Sequence, residues 1–320
     1  MNVATLLDDV LDRTVVGGYT SVGYRIRRRH WDDAALEPMD GKVVLVTGST
    51  SGLGAAAAEG FARLGAHVWL VARDEGRAEA MREQIAARTG STTIEIGLCD
   101  LSSLRSVRRF AAEFMERSPR LDVLVNNAGV LPPERALSDD GIELTFATNV
   151  VGPFLLTELV LPILKDSAPA RVINVSSGGM YSQKLRPGDL QMEHDDFDGT
   201  TAYARAKRAE VVLTEELGKR LERSGVVVHS MHPGWADTPG VRSSLPRFYG
   251  LMKPLLRTAE QGADTIVWLG AAAEPAQSTG GFWHDRRRRP THLLPWTHES
   301  DEDRAKLWAE CVRLSGQEES

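Results

Sequence analysis

Residues 203–207 read YARAK, a tyrosine four positions before a lysine. Four residues is just over one helical turn, so on a helix the two side chains share a face. A phenol titrates near pH ~10 and is a poor acid or base at neutrality. An ammonium fixed beside it favours the phenolate and lowers that value. Tyr203 and Lys207 could therefore form a proton-transfer device. One turn of a surface helix explains the same spacing, because matches this short arise by accident. The rest of the chain has to decide.

A second group of residues could hold a phosphate. TGSTSGLG (47–54) follows VVLVT and precedes the helix-forming AAAAEGFARLG. Gly48, Gly52 and Gly54 permit a tight turn, close approach of backbone to a pyrophosphate, and close packing of helix on strand. Ser49, Ser51 and Leu53 complete the loop, and the helix start offers free N–H groups to phosphate oxygens. A merely tight strand-to-helix turn would look similar; the strand before and the helix after favour the dinucleotide reading.

The next strand ends in VARD (71–74), near where an adenosine ribose would lie. Arg73 can grip a 2′-phosphate in bidentate fashion, which points to NADP(H). Asp74 competes, since a slip of two positions would turn it towards a 2′-hydroxyl and select NAD(H). CDL (99–101) places Asp100, with Leu101, where an adenine amino group would sit. NNAG (126–129) offers Asn126, Ala128 and Gly129 for a polar turn beside the cofactor, although such residues also make ordinary turns.

These groups need elements to position them. Seven short β-branched runs recur: 43–47, 67–72, 92–98, 121–125, 171–176, 226–231 and 281–284. The early ones lack polar alternation, as strands buried on both faces should. Helical stretches lie between them. The expected fold is α/β, a Rossmann-type doubly wound parallel sheet with helices on both faces. Gly48, Arg73, Asp100, Asn126, Ser177 and Pro233 all follow strand ends, and so gather on the edge where such sheets bind ligands.

The domain reading is an N-terminal arm over 1–40, a catalytic domain over 41–290 and a C-terminal tail over 291–320. In the arm, Val3, Leu6, Leu7, Val10 and Leu11 form one helical stripe. TVVGGYTSVGY is too glycine-rich for a helix. Arg25, Arg27, Arg28 and Arg29 could make weak contact with an anionic membrane surface, or the arm packs on its own domain with these arginines solvated. The tail is polar and is expected to wrap the surface.

With 42% hydrophobic residues in 320, the chain can bury a sizeable core. A net charge of -6 argues against nucleic acid as a partner. No apolar run reaches the length of a membrane span. Asp8, Asp9 and Asp12 stand where a secretory signal would carry positive charge, so a cytoplasmic or membrane-peripheral location is expected. Two cysteines, Cys99 and Cys311, suit a reducing compartment. The histidines, His229 and His232 being the closest pair, show no metal spacing.

TGSTSGLG, NNAG, Asn149, Ser177, YARAK and HPGWADT stand in the order found in the short-chain dehydrogenases/reductases, which the chain resembles over about 41–285. SSGGM, QKL, FDGT, MHPGWADTPGVR and QGADT are similar to one subgroup of that family, dehydrogenase/reductase SDR family member 12. The stretch 181–200 resembles an insert of the retinol-dehydrogenase branch. The resemblance implies that Tyr203 is the acid or base at a carbonyl or alcohol oxygen and that Lys207 lowers its pKa and holds the nicotinamide ribose. It implies that Ser177, the second serine of its pair, stabilises charge on that oxygen, and that Asn149 anchors a water linking Lys207 to solvent. Pro233, Gly234 and Thr238 would shape the loop over the nicotinamide. Tyr181 is a rival tyrosine, but glycines precede it and its nearest lysine, Lys184, is three residues away.

Trp235, Leu245, Phe248, Tyr249, Leu251, Met252, Leu255 and Leu256 could form a lid over an apolar substrate, or pack on the domain or on a second subunit of a homo-oligomer. The leading expectation is an NADP(H)-dependent carbonyl reductase, or alcohol dehydrogenase in reverse. An NAD-dependent dehydrogenase is the alternative within the class. A non-enzymatic nucleotide-binding or membrane-tethered protein is the alternative outside it.

Overall fold

The computed structural model describes residues 11, 14–32, 35–194 and 196–317. Eight strands form one sheet: β1 Val43–Thr47, β2 His67–Ala72, β3 Ile94–Leu98, β4 Val123–Asn126, β5 Ala170–Val175, β6 Val226–Met231, β7 Gly281–His284 and β8 Arg287–Arg289. Their order is β3-β2-β1-β4-β5-β6-β7-β8, with β3 to β7 parallel and β8 antiparallel to β7. The chain winds outward from β1 to β3, then returns to β4 on the other side of β1. This reversal opens a crevice at the carboxyl ends of β1 and β4.

Every residue of β1 is buried, because helices cover both faces. One face packs Leu45, Leu124 and Val172 under Phe110, Phe114, Leu155 and Val212. The other packs Val44, Val46 and Val125 under Phe61, Ile266 and Trp268. Each buried Val, Leu or Phe stabilises the fold by about 1.5–3 kcal/mol relative to exposure. That burial explains why alternation is missing from these strands.

Four expectations need correction. The short arginine-rich strand β8 escaped the β-branched pattern, since it is an edge strand held by pairing with β7. The glycine-rich segment does form helices, Val15–Tyr19 and Ser21–Arg28. Their glycines allow close backbone packing: a Cβ on Gly23 would lie 2.2 Å from the Gly17 carbonyl oxygen. Tertiary contacts outweigh the ~1 kcal/mol helix penalty per glycine. The helical run Leu144–Asp166 is long and apolar enough to cross a membrane, yet 78% of its apolar window is buried inside the protein. Finally, the tail carries a helix, Asp301–Ser315, whose Leu307, Trp308 and Cys311 join the main core rather than the surface.

The arm is docked. Tyr19 is buried against His232, Trp235 and His284. Arg27 is not solvated; it is 5% exposed and donates to Asp285 at 2.7 Å and to the Gly18 carbonyl at 2.9 Å. Arg257 pairs with the same carboxylate at 2.8 Å. Burial alone would raise the Asp285 carboxyl, but His284, Arg257 and Arg27 hold it well below the usual carboxylate range. Arg25 and Arg29 remain exposed. Of the proposed apolar stripe, Val3, Leu6, Leu7 and Val10 lie outside the described residues. Cys99 and Cys311 are both buried and unbridged.

Candidate active site

A cleft of about 300 Å³ lies at the sheet reversal. Gly48, Ser51, Gly52, Leu53, Arg73, Asp100, Leu101, Ala128, Gly129 and Thr238 line it. Gly48 and Gly52 have φ of +65° and +54°, where an L side chain is strained. A Cβ on Gly54 would lie 2.3 Å from the Gly48 carbonyl oxygen, so only glycine lets the helix sit on the turn. That helix, Gly52–Arg63, has no side-chain cap at Ser51, and its first N–H groups stay available to an anion. Ser49 faces inward, its hydroxyl 3.4 Å from the Val71 carbonyl.

After β2, Asp74 caps the helix Glu75–Thr89 by accepting from the Arg77 backbone N–H at 2.7 Å. Its carboxylate is thereby turned to its own helix, leaving Arg73 and Arg77 in the cleft wall. The sequence reading missed Arg77, although its place one helical turn beyond Arg73 was a usable signal. Asp100 also lines the cleft, with Oδ1 accepting from the Ser102 backbone and hydroxyl at 2.9 and 2.7 Å. A dinucleotide fits this site: a glycine cradle and an uncapped helix start, with two guanidinium groups in the wall.

Asn126 belongs to the sheet, not the cleft wall. It is buried and donates to Thr157 at 3.1 Å and Asn174 at 2.9 Å. The next residue, Asn127, lines the cleft and bonds the Thr47 carbonyl at 2.8 Å. Strand alternation sends neighbouring side chains to opposite faces, so the choice within NN was one residue off.

Ser177, Tyr203 and Lys207 lie together, with Lys207 Nζ against Gly129. Ser176 sits at the end of β5 and donates to the Lys207 carbonyl at 2.8 Å, which ties the strand end to the helix Gly199–Arg220. Ser177 then starts a 3₁₀ turn, Gly178–Ser182, where its hydroxyl accepts from the Gly179 N–H at 3.2 Å and is near enough to the Tyr203 phenol to lower its pKa. Lys207 is 2% exposed, with Nζ 5.4 Å from the centre of the Tyr203 ring. That Nζ donates to the Val175 carbonyl at 2.8 Å and to Glu210 at 2.7 Å. The rival Tyr181 donates its hydroxyl to the Pro290 carbonyl at 2.7 Å, in a 3₁₀ turn where no helix was expected.

The tuning of Tyr203 differs from expectation. Burial raises its pKa above the ordinary value; Lys207 pulls down, Glu210 pushes up and Ser177 pulls down. Lys207 alone would have lowered it, but its charge is shared with a buried carboxylate. Glu210 was missed, though it stands three residues after Lys207 on the same helical face.

Asn149 lies in a π-helical turn, Ala147–Val151, the kind of bulge that recurs at functional sites. Its amide bonds the Val130 backbone twice, accepting at 2.8 Å and donating at 3.0 Å. Pro233 and Gly234 stand in the loop after β6 and are not among the residues that line the cleft. Gly234 has φ +74°, and a Cβ there would lie 2.5 Å from Arg257 Nε. Thr238 caps the helix Pro239–Ser244 and approaches Gly52. Beyond it, the helix Pro246–Met252 buries no residue, Leu251 is 78% exposed, and Phe248 packs edge-on against Trp235 at 5.1 Å. Trp235 also meets Tyr19, which sequence spacing could not reveal because the arm is distant in the chain.

Comparison with known proteins follows the same lines. The short chain dehydrogenase family pattern matches residues 42–247. The chain is 43% identical over 295 residues to dehydrogenase/reductase SDR family member 12 of Bos taurus, covering 90% of this chain and 91% of that one. It is 36% identical over 291 residues to human retinol dehydrogenase 13, covering 87% and 86%. Among solved structures, an uncharacterised protein of Mycobacterium paratuberculosis superposes with a TM-score of 0.69 at 30% identity, covering 90% of this chain and 98% of that one. The Pseudomonas aeruginosa RhlG/NADP active-site complex gives 0.63 at 28% identity, covering 76% and 94%. The chain belongs to the short-chain dehydrogenase/reductase family of nicotinamide-dependent oxidoreductases.

Proposed function

We propose that this oxidoreductase uses NADP(H) to interconvert a carbonyl and an alcohol on an apolar substrate. The observation that carries the reading is the grouping of Ser177, Tyr203 and Lys207, with Lys207 Nζ against Gly129 of a cleft that Arg73 and Arg77 also line. Bound nicotinamide would supply or accept the hydride. Arg73 and Arg77 would hold the 2′-phosphate, the Gly48–Gly54 loop the pyrophosphate, and Lys207 the ribose nearest the reacting carbon.

Tyr203 protonates the substrate oxygen during reduction and removes the proton during oxidation. Ser177 donates to the same oxygen as charge grows on it. Asn149 holds the loop at Val130, and so keeps Gly129 against Lys207. An apolar substrate is supported by two relatives that carry the name retinol dehydrogenase. Trp235 and Phe248 beside the site agree with it. The test is turnover of all-trans-retinaldehyde with NADPH and with NADH. Faster turnover with NADPH is expected; equal use of both cofactors would contradict the assignment.

A further inference from the structure

Glu210 forms a buried ion pair with Lys207, and only one of its two oxygens is used there. Oε1 accepts from Lys207 Nζ at 2.7 Å, whereas Oε2 has no partner among the described residues. Glu210 is 8% exposed and lines a second cavity, of about 30 Å³. That is room for at least one water, which needs about 10–15 Å³. The wall is mainly apolar, and Asn149, Thr157, Asn174 and Glu158 are its polar members besides Glu210. Glu158 is half-buried and so stands on the outward side.

We infer that Glu210 is a proton-carrying positioning residue, relaying protons between Lys207 and water in this cavity and so re-arming Tyr203. The inference rests on the proposed role of Tyr203. During reduction the Tyr203 O–H bond breaks and its proton goes to the substrate oxygen. Lys207 gives a proton to restore the phenol, and the Glu210 carboxyl gives one to restore the ammonium. Glu210 then takes a proton from cavity water, which is replenished from solvent past Glu158. Oxidation runs the same transfers in reverse, and no electrons move along the path.

The surroundings suit such traffic. On its own helix Glu210 faces Lys207 and Tyr203; across the cavity it faces Glu158. β5 contributes the Asn174 amide, the π turn contributes Asn149, and the C-terminal helix contributes Trp308, none of them charged. Burial pushes the Glu210 carboxyl up to about 7 against the pull of Lys207, so both protonation states are accessible near neutrality. Burial likewise raises Glu158, against Arg220 and Lys165. Asn149 lines the same cavity, but its amide is committed to the Val130 backbone.

The test uses Glu210→Gln, which keeps the shape and removes the charge and the proton. Labelling tyrosine at Cζ gives five NMR signals, and Tyr203→Phe assigns the relevant one. In cofactor-free protein the Tyr203 midpoint should fall by about one pH unit in Glu210→Gln, because Lys207 loses its counter-charge. With retinaldehyde and NADPH, kcat should fall about tenfold, less than the ~10²–10⁴ expected for a group acting directly. NADPH affinity should stay within about twofold of wild type, since no cofactor contact is removed.

An unmoved Tyr203 midpoint, or an unchanged kcat, overturns the relay. Glu158→Gln keeps the question open to decision if Glu210→Gln does not fold: slower turnover with the Tyr203 midpoint unmoved supports the path, and wild-type turnover overturns it. Full activity in Tyr203→Phe would instead defeat the underlying assignment of the acid, while the titration of Glu210→Gln would still report the pairing.

Discussion

The Asp74 carboxylate accepts a hydrogen bond from the Arg77 backbone N–H at 2.7 Å, and this one contact turns it away from the nucleotide cleft. Two arginines, 73 and 77, are left in the cleft wall. An arginine that holds a 2′-phosphate through charge-assisted bonds contributes about 1.5–3 kcal/mol. Arg73→Ala should therefore lower kcat/KM for NADPH by roughly 10–100-fold and leave NADH within about threefold. Steady-state kinetics with both cofactors checks this; an equal loss for NADH would mean that Arg73 serves the fold.

Adjacent serines should separate cleanly. Ser176 bonds the Lys207 carbonyl, a structural contact, whereas the Ser177 hydroxyl lies near the Tyr203 phenol. Ser176→Ala should cost about 1 kcal/mol of stability with activity within about threefold. Ser177→Ala should cost about 10²–10³ in kcat, as the loss of an oxyanion donor does. Denaturant midpoints and kcat on the same preparations decide it; the reverse pattern would exchange the two roles.

The paired strand and edge motifs were legible because they obey local rules. The runs at 43–47, 67–72, 226–231 and 281–284 coincide with β1, β2, β6 and β7. The fold class followed from that alternation of βα units, and most of the phosphate loop from its glycines. What local rules could not carry was tertiary. Helices formed over Val15–Arg28 despite Gly17, Gly18 and Gly23, because Arg27, Asp285 and Arg257 meet only in the folded chain. Asn126 and Asn127 were confused because strand alternation assigns faces only when the strand end is known. The Tyr203–Lys207 spacing points to a lowered phenol pKa, whereas in the fold burial and Glu210 outweigh Lys207.

Acid should loosen the end of β6. His229 Nδ1 accepts from the Gly281 N–H and the Trp283 indole, and His232 Nδ1 accepts from the Gly234 N–H, so both rings are neutral. Burial lowers both below their ordinary values, His232 furthest. Below the unfolded value of about 6.5 the unfolded chain binds protons that the folded one refuses. Their contribution is complete above pH ~6.5 and is lost as pH falls, by about 1.4 kcal/mol per unit for each ring. Urea midpoints at pH 7.5, 6 and 5 should decline. A flat profile, with both rings titrating normally by NMR, would contradict the assignment.

The most direct measurement is the single-turnover rate of retinaldehyde reduction by Tyr203→Phe with NADPH bound. Burial and Glu210 keep the proton on the phenol, while Lys207 and Ser177 favour its release. Removing that proton should slow the chemical step by about 10²–10⁴ while NADPH still binds. A rate equal to that of the unaltered protein would show that the proton comes from elsewhere.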